Sequence, residues 1–337
     1  MQGFKTKTKV PRKIAQNLSI LIPAVALLLF AFNWQIPQAK TGKVLGAAIT
    51  QTSPDTSQDF NFSTPLQGPI VSPPRGDSVN EDKEVKQTNY SVSPDVKAKA
   101  FLVYDPVAQT ILYQKNIDGQ VAIASLTKLM TAIVAFEDPG FIEAITITQE
   151  DALKVSPYLG LVPGDKVYPE DLLKAMLLGS ANDAALTLAN HFPNKAEFVL
   201  KMNAKAKELG MENTHFSNPV GFDSEANYST AKDLRKLVNY GIDKLPYDQI
   251  WSQQASYSFE SLLGKTYKIK NSNELVFEYK NIKSIKTGYT AKAQGNMIVE
   301  AENDNGNKVI AIVLGTPDRN DSTLEVIKYV FDNFSWN

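Results

Sequence analysis

The chain has 337 residues, 43% hydrophobic and 21% charged, which excludes a wholly disordered or fibrous protein and leaves room for one large domain or two small ones. It has no cysteine, which removes disulfides, thiolate metal sites and cysteine nucleophiles, and only two histidines, His191 and His215, too few for a histidine-rich metal site. A formal net charge of −1 offers no broad basic surface, so nucleic acid is not an expected partner.

The charge is unevenly placed. Six of the 35 basic residues and none of the 36 acidic ones fall in residues 1–40. Five of these cations (Lys5, Lys7, Lys9, Arg12, Lys13) precede the apolar run Leu18–Phe32, and Trp34 follows where an amphipathic ring suits a membrane interface. The run is shorter than the roughly 20 residues of a spanning helix and long for a signal-peptide core. Its one-sided flanking charge identifies residues 1–40 as an export segment, with the amino terminus inside the cell and the remainder outside. Cleavage after Ala39 or Ala47 is one outcome, and an uncleaved signal anchor is the favoured one.

Residues 41–95, most clearly Ala48 to Pro94, are rich in Ser, Thr, Pro, Gln and Asp and poor in large apolar side chains. Such a stretch buries too little surface to offset its ordering entropy, so it reads as a disordered tether. The folded part is then expected at 96–337, one domain with a sizeable core.

Within it, AFLVYDP and TILYQKN form a hairpin pattern over Ala100–Asn116. SLTKLMTAIVAFE, from Ser125, is apolar on nearly every side and predicts a central buried helix. A second helical stretch, Pro169–Phe192, is interrupted near Gly179, and a third, amphipathic one runs from Lys195 to a C-cap at Gly210. NIKSIKTGYTAK reads as a strand, and NMIVEAEND and NKVIAIVLG flank the turn signal Asn305-Gly306. A helical pattern from Ser322 to Phe334 ends the chain. Strands at both ends around helices in the middle predict an α+β class with one antiparallel sheet.

Three polar clusters stand out. Ser125 and Lys128 are one turn apart on the central helix, a spacing that suits a serine nucleophile and a lysine base or, equally, a serine N-cap followed by a solvated lysine. Ser180-Ala181-Asn182 sits at the helix interruption, able to point into one cleft or simply to cap a helix. Lys286-Thr287-Gly288 lies on a strand whose alternation puts Lys286 and Gly288 on one face and Thr287 on the other.

Taken together and in this order, serine-x-x-lysine, serine-x-asparagine and lysine-threonine-glycine are the signature of penicillin-binding proteins and class A β-lactamases. The blocks AIASLTKLMTAIVAFED, LLGSANDAALTLAN, ENTHFSNPVGF with NYSTAKDL, and IKTGYT resemble the D-alanyl-D-alanine carboxypeptidases among the low-molecular-mass penicillin-binding proteins, serine peptidase family S11. The resemblance covers about Lys97 to Ser335. It implies a serine β-lactamase/DD-peptidase-like fold, with the sheet built from both chain ends and a helical subdomain between.

The resemblance also implies roles. Ser125 would attack the carbonyl of the penultimate D-alanine, Lys128 would take its proton, and Ser180 would relay a proton to the departing amine. Asn182 would hydrogen-bond the substrate backbone. Lys286 would keep the cleft positive, hold Lys128 deprotonated by repulsion and, with the Thr287 hydroxyl, bind the terminal carboxylate. The backbone N–H groups of Ser125 and Tyr289 would form the oxyanion hole. Substrates would be peptidoglycan stem peptides ending in D-Ala-D-Ala, β-lactam antibiotics would be covalent inhibitors, and no metal or cofactor would be needed. The expected location is the extracytoplasmic face of a bacterial cell membrane, or the cell wall if the leader is removed.

Many family members add a β-rich domain and an amphipathic membrane helix after the catalytic domain, and neither is expected here. That feature is shared with the endopeptidase branch, so carboxypeptidase is the main reading and DD-endopeptidase the alternative. A β-lactamase would need a deacylating glutamate, for which 183–285 offers no counterpart, and a silent penicillin-binding module would be expected to lack Ser125 or Lys128. Trp251, both histidines and the tyrosine-rich stretch Tyr257–Tyr279 read as packing or cleft-rim residues, and Asn271–Leu275 as a loop beside the cleft.

Overall fold

The computed structural model describes residues 84–152, 154–192, 195–245 and 254–337. The leader, the tether as far as residue 83, and Trp251 lie outside the described residues; among those described, no helix is long and apolar enough to cross a membrane.

In chain order the strands are β1 (Val85–Gln87), β2 (Ala100–Tyr104), β3 (Ile111–Lys115), β4 (Ile145–Thr146) and β5 (Lys166–Val167), then β6 (Ser256–Glu260), β7 (Thr266–Lys270), β8 (Ile282–Thr290), β9 (Gln294–Glu302), β10 (Lys308–Thr316) and β11 (Phe334–Trp336). The helices are α1 (Lys128–Phe136), α2 (Pro169–Gly179), α3 (Asn182–Asn190), α4 (Lys195–Glu208), α5 (Ala231–Lys244), α6 (Leu275–Glu278) and α7 (Arg319–Asn333). Five strands form one antiparallel sheet in the order β3-β2-β10-β9-β8, so both ends of the chain contribute, as expected.

Register assigns each face. Leu102, Ile312, Ile298 and Lys286 lie side by side across β2, β10, β9 and β8, and the next row is Phe101, Val313, Met297 and Thr287. The first three of one row belong to the large core shared with the helices Lys128–Lys244; those of the other belong to a second core under α7, with Val326 and Val330. Successive residues of a strand face opposite ways, so Lys286 points into the helical layer and Thr287 to the other side. β8 is an edge strand, bonded to β9 alone in this sheet.

The central helix differs in one respect from its pattern. It opens as a tight turn, Ala124–Thr127, and the α-helix proper starts at Lys128. From Lys128 to Ala135 every residue is buried, which explains why the stretch is apolar all round. The interruption falls at Ser180, whose backbone is left-handed (φ 63°) and ends α2 before α3 begins two residues later. Two features were not legible in the pattern. The tyrosine-rich stretch folds as the hairpin β6–β7, and β1 pairs with β11 inside the segment expected to be tether.

Candidate active site

The turn carrying Ser125 is pressed from two sides. Gly221 has φ +88°, and a Cβ there would stand 2.0 Å from the Ala124 carbonyl oxygen. A Cβ on Gly288 would lie 3.0 Å from both Ile123 O and Ser125 N. Only glycine lets both segments approach this closely. The glycine of the strand motif therefore has a positional reason: it brings β8 against the turn at Ser125.

Lys128 lies beneath Ser125 and is fully buried. Its Nζ is 2.9 Å from Ser125 Oγ, 2.9 Å from Asn182 Oδ1 and 2.6 Å from the Val220 carbonyl. Two of these three partners can only accept. A neutral amine has two protons and one lone pair, so giving its protons to Asn182 and Val220 turns the lone pair toward the serine hydroxyl. Burial pushes the Lys128 amine well below the usual lysine range, and the nearby Lys286 ammonium lowers it further. Burial leads and repulsion by Lys286 adds to it, an order the motif alone did not reveal. The site thus places a hydroxyl beside a desolvated base, the arrangement that activates a serine.

Asn182 was expected to bind substrate through its amide, but that side chain is heavily engaged. Besides accepting from Lys128, its Nδ2 donates to the Val155 and Ser156 carbonyls at 3.0 and 3.2 Å, and its backbone N–H bonds Pro157 O. It joins the lysine to the loop 155–162. The neighbouring Asp183, buried, accepts the N–H groups of Leu159, Gly160 and Leu161 and so fixes the same loop. Asp183 was not singled out from sequence; its place beside Asn182 at the start of α3, where an acidic residue is favoured, was the available signal.

Lys286 is fully buried on the helical face, and its Nζ has no hydrogen-bond partner among the described residues. Burial lowers it to about 7, with Arg319 adding repulsion. An unpaired ammonium in such a place favours an anion. Thr287, on the opposite face, shares a 2.6 Å hydrogen bond with the Ser272 hydroxyl, and Arg319 donates to Ser272 O at 3.1 Å. The Asn271–Leu275 run does lie beside the strand motif, through Ser272, but Arg319 gave no sequence signal. Ser180 is buried at the left-handed corner, and the Tyr289 side chain is 67% exposed at the rim. His215 is structural: its Nδ1 pairs with the Ala226 carbonyl and its backbone bridges to Tyr228.

Known proteins resemble this chain in sequence and in overall fold. The chain is 31% identical over 249 residues to D-alanyl-D-alanine carboxypeptidase DacF of Bacillus subtilis, covering 71% of this chain and 63% of that one. It is 32% identical over 226 residues to a D-alanyl-D-alanine endopeptidase of Escherichia coli, covering 66% and 72% respectively. The crystal structure of the Streptomyces K15 DD-transpeptidase superposes with a TM-score of 0.67 at 27% identity, over 72% of this chain and the whole of that one. The chain spans 58–63% of the length of the curated carboxypeptidases DacF and DacC that it matches. The family described as D-alanyl-D-alanine carboxypeptidase matches residues 86–318, and the chain belongs to it.

Proposed function

We propose that this protein is a serine DD-carboxypeptidase that removes the terminal D-alanine from peptidoglycan stem peptides through an acyl-enzyme. The observation that carries the reading is the Lys128 amine, desolvated and committed to two acceptors, with Ser125 Oγ at 2.9 Å. Ser125 attacks the carbonyl carbon of the penultimate D-alanine as Lys128 takes the hydroxyl proton. The N–H groups of Ser125 and Tyr289 hold the developing oxyanion, a contribution worth on the order of 10²-fold per donor. Ser180 passes a proton to the departing amine, and water then releases the shortened peptide.

Lys286 supplies the positive charge for the substrate carboxylate, and Thr287 would reach the same group by releasing Ser272 if the carboxylate lies against the free edge of β8 between the two faces. Asn182 acts chiefly through Lys128, since its amide is already engaged. β-Lactams acylate Ser125 by the same route. The cationic, apolar leader supports export, with the domain held at the outer face of a bacterial membrane by Leu18–Phe32.

The test is incubation with a pentapeptide ending in D-Ala-D-Ala and with a cross-linked muropeptide dimer, products followed by mass spectrometry, with Ser125→Ala as control. Loss of one alanine, absent in the control, is the expected result. Cleavage of the dimer alone would move the assignment to endopeptidase, a reading favoured by the relative of that name that the chain covers over 72% of its length. No serine-dependent product would overturn both.

A further inference from the structure

The two segments that press on the Ser125 turn run on past their glycines to the surface, and there they are tied together. Thr290 Oγ1 donates its proton to Asp223 Oδ1 at 2.7 Å and accepts from the Ala293 N–H at 3.0 Å, so one hydroxyl closes both the β8–β9 turn and the bridge across to residues 221–225. A second bridge lies beside it, Lys292 Nζ to Glu225 Oε1 at 2.5 Å.

Each anchor of this clasp is itself braced. Asn218 Oδ1 accepts the N–H groups of Val220, Gly221 and Phe222, so Asp223 leaves a turn whose backbone is already held, the turn whose Val220 carbonyl meets Lys128. On the other side, Thr290 directly follows Tyr289. β8 needs such a tie: it is hydrogen-bonded in the sheet along one side only, and its register to β9 shifts between Ser284 and Lys286. Gly288 packs against the Ser125 turn and Thr287 is held by Ser272, and the clasp adds a side-chain tie beyond them, where β8 ends.

We infer that Asp223 and Thr290 are positioning residues, a clasp that sets the separation between the backbone N–H groups of Tyr289 and Ser125. Its importance for reaction rate rests on the function proposed above, where those groups are the oxyanion donors. The Asp223–Thr290 bond is the working element, because the same hydroxyl also accepts from the Ala293 N–H and so ties the β8–β9 turn to residues 221–225. The Lys292–Glu225 pair, with Glu225 97% exposed, is screened by salt and contributes little.

The experiment uses the full-length protein with Asp223→Ala, Asp223→Asn, Thr290→Val, Thr290→Ser and Glu225→Gln. Acylation by a fluorescent penicillin is followed over a range of concentrations, which separates the limiting rate from the half-saturating concentration. Amide hydrogen exchange is read over 288–293. Asp223→Ala and Thr290→Val are each expected to slow the limiting rate about tenfold, since small misplacements of reacting groups have effects of this order or larger. Half-saturation moves less than about twofold, the double variant is no slower than either single one, and exchange over 288–293 accelerates. Asp223→Asn and Thr290→Ser, which retain the acceptor and the hydroxyl, stay near wild type, as does Glu225→Gln.

The clasp is overturned if Asp223→Ala acylates at the wild-type rate, if its defect lies wholly in half-saturation, or if Asp223→Asn is equally slow. A wild-type protein inert to both penicillin and peptide would sink the peptidase reading instead. Exchange would then decide the clasp alone, and unchanged exchange in Asp223→Ala would refute it.

Discussion

At the scale of single residues, the proposed chemistry rests on two buried lysines with different neighbours. Replacing Lys128 with methionine keeps most of the buried volume but removes the base; acylation by labelled penicillin is expected to fall at least about 10²-fold while the fold survives, checked by gel labelling beside a melting curve. The pH dependence follows from Lys286, lowered to about 7. Above that value the folded protein has released a proton that the unfolded chain keeps until about pH 10.4. The unfolded state then binds more protons, so this residue's contribution to stability rises with pH across that window. The stability of the wild type relative to Lys286→Met is expected to rise by up to about 1.4 kcal/mol per pH unit above neutrality, as the cost of the buried charge is relieved, read from urea titrations. Under the proposed function, activity is expected to run the other way over the same range: kcat/KM for the pentapeptide declines as Lys286 loses the charge proposed to meet the carboxylate. A flat profile through neutrality would show that Lys286 titrates elsewhere.

At the scale of elements, close approach between backbone segments is what brings three motifs into one place. Gly221→Ala would drive a Cβ into Ala124 O and require a left-handed alanine as well. The expected loss is about 3 kcal/mol of stability, together with a clear loss of penicillin labelling. Gly264→Ala is the control. It has a similar φ, +83°, but its nearest neighbour would be 3.7 Å away, so only the conformational strain of about 1 kcal/mol applies and labelling is unaffected. Asp183→Ala leaves three loop N–H groups without their acceptor, and a destabilisation of about 2–3 kcal/mol is expected. Comparable melting temperatures for all three variants would argue against this account of the junction.

At the scale of the whole molecule, the chain closes on itself. Val85 and Gln87 of β1 pair with Trp336 and Phe334 of β11, the Thr88 and Asn89 N–H groups bond Asn333 O, and the fully buried Asn333 side chain holds Ser91. The folded part therefore includes β1, ahead of the boundary expected at 95/96. A protein starting at residue 96 is expected to melt several degrees below one starting at residue 82, at about 2–4 °C per kcal/mol for a domain of this size. Differential scanning calorimetry of the two checks this.

The fold class and the residues of the candidate site were legible in the sequence. Apolar runs at both ends with a helical middle specify an α+β sheet protein because burial patterns are local. Ser125, Lys128, Ser180, Asn182, Lys286 and Thr287 were visible because their motifs are short and ordered along the chain. The Asn305-Gly306 hairpin and the break at Ser180 were legible for the same reason: turn chemistry is set by neighbouring residues. Tertiary structure alone decided the rest. The Val220 carbonyl that accepts a hydrogen bond from Lys128 is a backbone atom 92 positions away, and no side chain announces it. Arg319 adds its repulsion to Lys286 only because α7 starts just after β10 ends, and the bonds that join Asn182 to Lys128 and to the 155–156 carbonyls follow from where the loop 155–162 lies. β1 was read as tether because three residues cannot bury a core of their own; their partner is the other end of the chain, and pairing at that separation leaves no periodic trace.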